Sequence, residues 1–161
     1  MRLMPYALLL ILLIFTASPH ASAQSGMPPK KHLRNAPTQL ALNGTKVSLS
    51  AQLWYDFMPT VGNAPKKHLL GTLQLRSNGN QLPDLRLCQV WILHHNRLWA
   101  CKAERQESSS SDNVIEFRLT NTPTLEELPA GSEVIVTVRL CQKHRRARLL
   151  RAPLQTVQRV Y

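Results

Sequence analysis

Four cations fall within six residues at Lys143-His144-Arg145-Arg146-Ala147-Arg148, and Lys30-Lys31-His32-Leu33-Arg34 and Lys66-Lys67-His68 add five more. Cations clustered at loop tips neutralise phosphate or sulfate groups and release counterions, so they bind polyanions with an affinity that falls with salt and reads no sequence. Recognition of unpaired nucleic acid would also need exposed rings for the bases to stack on. Only Trp54 is expected at the surface, and aromatic residues are 6% of the chain. That balance argues against nucleic acid and for a protein, an anionic envelope component or an acidic polysaccharide as partner. The expected contact set is Lys143, Arg145, Arg146, Arg148, Lys66, Lys67 and Trp54. The plain alternative is that these cations only keep the loops soluble.

Metal binding is the second chemistry on offer. His94 and His95 are adjacent, while Met58 and His68 flank another loop and Met27 and His32 lie nearer the start. Imidazole and thioether ligands suit copper, and imidazole also suits zinc. The site would form if His94, His95, Met58 and His68 met at one end of the fold; otherwise they are solvated loop residues. Cys141 and His144 supply only two of the ligands that a zinc site needs.

Hydrolytic machinery is the third possibility, and its usual arrangements are missing: no Gly-x-Ser-x-Gly, no His-Glu-x-x-His and no phosphate-cradling glycine loop. Ser108 to Ser111 have no histidine nearby in sequence, and Glu126-Glu127 would point apart. We expect no catalytic residue and no cofactor, with an unrecognised hydrolase ranked last.

There are three cysteines. Cys88 and Cys101 stand six residues either side of His94-His95, so a hairpin with its tip there would put them opposite each other on one face. A Cys88 to Cys101 disulfide with Cys141 free is the expected pairing. Cys141 bonded to either of the others is the runner-up.

The elements that would carry these residues read as strands. In residues 46–57 the alternate positions Val47, Leu49, Ala51, Leu53, Tyr55 and Phe57 are apolar, and Trp54 alone breaks the polar face. The same period of two returns at Leu69, Gly71, Leu73 and Leu75, at Ile115, Phe117 and Leu119, and at Val134, Val136, Val138 and Leu140. Residues 86–93 and 98–103 are apolar on both sides, as in central strands, with His94-His95-Asn96-Arg97 as the loop between them. Residues 40–42 and 148–160 offer further short strands, Asn43-Gly44-Thr45 is a turn or a glycosylation acceptor, and residues 124–128 could form one helical turn. Seven or eight short antiparallel strands predict an all-β, two-sheet sandwich.

Leu128-Pro129-Ala130-Gly131-Ser132-Glu133-Val134-Ile135-Val136 resembles the corner before the penultimate strand of immunoglobulin-like and fibronectin type III domains, and Trp91 is similar to their core tryptophan. The position that often holds a corner tyrosine in those domains is Val134 here. The resemblance implies an immunoglobulin-like sandwich over residues 40–160 and a binding, adhesion or spacing role without catalysis.

Location follows from the first 23 residues. Arg2, the apolar run of residues 7–15 and Ala21-Ser22-Ala23 together form a secretory signal. Nine uninterrupted apolar residues are too few to span a bilayer, which needs about twenty. The expected product is exported, periplasmic or extracellular, and crosses no membrane after cleavage. The whole chain of 161 residues carries 20 Lys+Arg against 9 Asp+Glu, a formal charge of +11, and Arg2 is the only charged residue of the signal. The expected organisation is a signal at 1–23, a flexible basic, Pro-rich arm at 24–38 and one domain at 39–161, with the oligomeric state left open.

Overall fold

The structure, a computed structural model, describes residues 26–59, 62, 66–79, 82, 84–107 and 113–161. The expected signal and Ser108 to Ser111 lie outside the described residues. Among the described residues the protein is all-β apart from one short helix, α1 (Lys30–Arg34). The strands are β1 (Gln39–Leu42), β2 (Thr45–Asp56), β3 (Leu70–Ser77), β4 (Arg86–His94), β5 (Arg97–Arg105), β6 (Val114–Thr120), β7 (Glu133–Cys141), β8 (Arg148–Arg151), β9 (Gln155–Thr156) and β10 (Gln158–Val160).

Alternation places each long strand. β2 buries Val47, Leu49, Ala51, Leu53 and Tyr55 and turns Lys46, Ser50, Gln52 and Asp56 to solvent. It is joined to β1 by Asn43-Gly44, whose φ angles of 52° and 80° are those of a two-residue hairpin that matches strand twist. At Gly71 on β3 a Cβ would lie 2.6 Å from Leu53 Cδ2 and 2.8 Å from Leu119 Cδ1, so only glycine lets β2, β3 and β6 pack this closely. Hydrogen bonding runs without interruption through β1-β2-β3-β6-β5-β4-β7-β8.

Two short strands draw the ends of that path together. β9 pairs antiparallel with the start of β7, and β10 pairs parallel with the end of β2, matching Gln158 with Trp54 and Val160 with Asp56. Phe57 N–H donates to Val160 O at 2.7 Å, and the Arg151 N–H donates to Pro37 O at 2.8 Å. The result is a nearly closed, barrel-like antiparallel sheet. The expected immunoglobulin-like division into two sheets is not confirmed. The sequence pattern sets which strand face is buried, whereas closure depends on residues 155–160, too few to carry a pattern of their own.

Inside lie Tyr55, Leu73, Val90, Ile92, Cys101, Phe117, Val136, Val138 and Leu150, with Leu128 from the loop before β7. Tyr55 O–H donates to Leu128 O at 2.8 Å, so this tyrosine tie comes from β2 rather than from the corner strand. Burial, and secondarily Glu127, push the Tyr55 hydroxyl pKa well above its ordinary value. Thr124 starts the expected helical turn: Leu128 N–H donates to Thr124 O at 3.0 Å, and the Glu127 carboxylate accepts from Thr124 N–H at 2.8 Å. β5 departs from its expectation as a doubly buried strand, since only Cys101 on it is fully buried.

A second, smaller apolar layer sits outside the barrel. Leu33, Ala36, Trp91 and Leu93 are buried, yet none belongs to the main core. Trp91 is paired with Thr137 across β4 and β7, and Thr137 Oγ1 donates to Leu33 O at 2.9 Å, so α1 lies on this outer face. The tryptophan that resembled a sandwich core residue is therefore covered by residues of the expected arm. Arg139 stacks over the Trp91 ring at 5.0 Å and reaches Gly26 O at 3.1 Å, while Lys30 and Arg34 donate to Asn96 O and His95 O.

Candidate functional site: the cationic β7–β8 loop and its disulfide

The predicted contact residues divide between the two ends of the barrel. β7 starts beside the end of β2, because β9 and β10 link those two places, and it finishes at the other end with Cys141. The β7–β8 loop carrying Lys143, Arg145 and Arg146 is consequently opposite Lys66 and Lys67, which lie in the β2–β3 loop. Trp54, two residues before the end of β2 and paired with Leu70, lies toward the Lys66 and Lys67 end. It is half-buried on the outside of β2 beside a cavity of about 180 Å³ that Leu70, Gln106 and Arg118 also line.

The two basic groups differ in how far they are already engaged. Lys67 donates to Asp56 O at 2.7 Å and lies 5.0 Å from the Phe57 ring centroid. Arg159 stacks on that ring at 5.5 Å, and Tyr161 packs against it at 5.6 Å. By contrast, residues 143–148 are all exposed. Among the described residues Lys143, Arg145, Arg146 and Arg148 make no side-chain hydrogen bond or ion pair. His144 takes a left-handed φ of 61°, and the Arg145 N–H closes a turn onto Gln142 O at 3.3 Å.

A disulfide anchors this loop at its base, and it is not the expected one. Cys88 is bonded to Cys141, with Cα atoms 6.0 Å apart, and Cys101 is the free, buried thiol. Two details of the backbone explain the correction. The hairpin turn is His95-Asn96, with His94 opposite Arg97 and His95 at φ 48°, so Cys101 faces Val90 rather than Cys88. A bulge between Leu87 and Gln89 then leaves Cys88 without a partner in the β4–β7 register and on the exposed side, near Cys141, which pairs with Arg86. Burial alone pushes the Cys101 thiol up to about 12. Beside the disulfide opens a cavity of about 390 Å³ lined by Asp84, Arg86, Cys88, Cys141, Gln142 and Lys143. Arg86 was not among the predicted contact residues, and its lone position before an apolar strand gave no signal of this setting.

The metal candidates come together only in part. The His94 and His95 rings meet edge to face with centroids 4.2 Å apart, and His94 Nδ1 is 2.8 Å from Glu133 O. They border a cavity of about 450 Å³ that Arg34 and Leu154 also line. His68 is instead held at 3.3 Å from Thr122 O, and Met58 is exposed just beyond β2. Among the described residues no three His, Cys, Asp or Glu side chains are grouped to hold a metal ion. Among the acids, Glu127 is engaged by the Thr124 N–H and hydroxyl, which hold its carboxyl below the usual range.

In comparisons with family models, curated proteins and solved structures, nothing matches this chain.

Proposed function

We propose that this protein is an exported, non-catalytic binding module that engages an anionic partner through the β7–β8 loop. The observation that carries the reading is the loop itself: Lys143, Arg145, Arg146 and Arg148 are exposed, free of ion pairs among the described residues, and anchored by the Cys88–Cys141 bond. Anchoring lowers the entropy lost when a basic loop is ordered on a partner, and clustering raises the local attraction for phosphate, sulfate or carboxylate groups. The disulfide also supports an oxidising compartment, in keeping with the signal at residues 1–23. The mass of protein recovered from its own compartment tests that part, with a chain beginning near Gln24 expected. An immunoglobulin-like sandwich would present the loop in the same manner as a barrel, since both offer connections at two opposite ends.

The binding test uses a sulfated polysaccharide and vesicles of anionic phospholipid, titrated at several salt concentrations. Arg145, Arg146 and Arg148 all changed to Ala should weaken binding about tenfold or more at low salt and reduce the log–log salt slope by about two to three. Lys66→Ala with Lys67→Ala should do neither. Unchanged affinity and slope in the triple variant would remove the loop from consideration.

A further inference from the structure

The geometry around Cys88 and Cys141 points to a covalent site. We propose that this disulfide exchanges with anionic low-molecular-weight thiols, which the adjoining cavity receives. The site draws on Arg86 and Lys143, of which Lys143 alone is shared with the proposed polyanion contacts, and it is tested without any polyanion.

Access is the first consideration. Cys88 occupies a bulge, where one strand has a residue with no opposite number, and it is exposed, while Cys141 is half-buried. The 390 Å³ cavity has both cysteines in its wall, together with Arg86, Lys143 and the single carboxylate of Asp84. A small thiol can therefore approach Cys88 from solvent, with two cations to hold its carboxylates. Cys101, enclosed in the core, is out of reach.

Charge is the second consideration, and it acts on the sulfur that leaves. Arg86 is the cross-strand partner of Cys141, and Lys143 follows Cys141 by two residues. Neighbouring cations stabilise a thiolate and make it the better leaving group. In the step proposed, the incoming thiol first gives its proton to solvent. Its thiolate sulfur then supplies the electron pair for a new bond to Cys88 Sγ, the Cys88–Cys141 bond breaks, and that pair stays on Cys141 Sγ. One thiolate and one disulfide enter; one mixed disulfide and one thiolate leave, with no net oxidation. The cationic loop is freed at one anchor without any change in charge at its own residues.

Three thiols test this on the native protein: glutathione, which is net negative, 2-mercaptoethanol, which is neutral, and cysteamine, which is cationic. Each is used at equal thiolate concentration, and each rate is normalised to that thiol's rate on a small uncharged disulfide. Acid-quenched samples are read by intact mass and peptide mapping. Glutathione should add once, at Cys88, about tenfold faster than cysteamine at low ionic strength, and salt should shrink that ratio. Arg86→Gln combined with Lys143→Gln should abolish the preference while 2-mercaptoethanol still reacts, which shows the disulfide remains reachable in the variant. An equal or reversed preference in the native protein, an adduct on Cys101, or no adduct before denaturant is added would each overturn the proposal. Polyanion binding is scored separately, on protein with the disulfide intact and with Arg145, Arg146 and Arg148 changed, so the failure of one reading is distinguishable from the failure of the other.

Discussion

The three cysteines occupy three surroundings: Cys88 exposed at a bulge, Cys141 half-buried at a strand end and Cys101 enclosed in the core. Enclosure has a consequence for stability in alkali. The folded Cys101 thiol keeps its proton up to about 12 against an ordinary value of 9.0, so between those two values the folded state binds the extra proton. Its contribution is complete below pH 9 and is lost as pH rises toward 12, at up to about 1.4 kcal/mol per pH unit. Tyr55 shifts in the same direction, so the two must be separated. Urea unfolding at pH 8, 9 and 10 should show a shallower fall in stability for Cys101→Ala than for the parent protein; parallel lines would contradict the assignment. The pairing itself was hidden from the sequence for a small geometric reason. Moving a two-residue turn by one position shifts the facing residues by two, and the bulge at Cys88 then reverses which side the residue faces.

Among the elements, α1 is the one whose sequence says least. Only Leu33 and Ala36 in that stretch are buried, and two apolar residues among prolines and cations make no periodic signal. What seats them is the outer face of β4 and β7, where Trp91 and Thr137 wait, and that face exists only after the strands have paired. The long strands are the opposite case: in β2, β3, β6 and β7 alternation alone located the element and its buried side. The seating of α1 depends on one side chain, so Leu33→Ala should cost about 2 kcal/mol. It should also speed trypsin cleavage after Lys30, Lys31 or Arg34. An unchanged digestion rate would mean that the backbone and cation contacts, rather than Leu33, hold the segment down.

For the molecule as a whole, the joint between β7 and β2 is the least local feature. β9 and β10 are two and three residues long, and their partners are strands remote in the chain. No composition or period in so short a run could announce a parallel pairing with β2. Val157 between them is 1% exposed, which shows that this segment is packed and not merely laid over the gap. Deleting residues 155–161 should lower the thermal midpoint by about 10 °C or more. It should also expose the unpaired edge of β2 around Trp54 and Tyr55, with self-association as the visible result. A midpoint within a degree or two of the parent would show that the remaining strands hold the barrel without this joint. The candidate site was legible only in part: composition marked the basic loop, whereas its anchoring and the company of Arg86 required the fold.

The Cys88–Cys141 bond spans a sequence separation of 53 residues and ties β4 to β7. Under tension applied to the two chain ends, it divides the protein mechanically. The helix, β1, β2 and β3 can be peeled from one side and β8, β9 and β10 from the other, but the stretch between the two sulfurs bears no load. At about 3.4 Å per extended residue, the bond withholds about 180 Å of contour length until a reductant releases it.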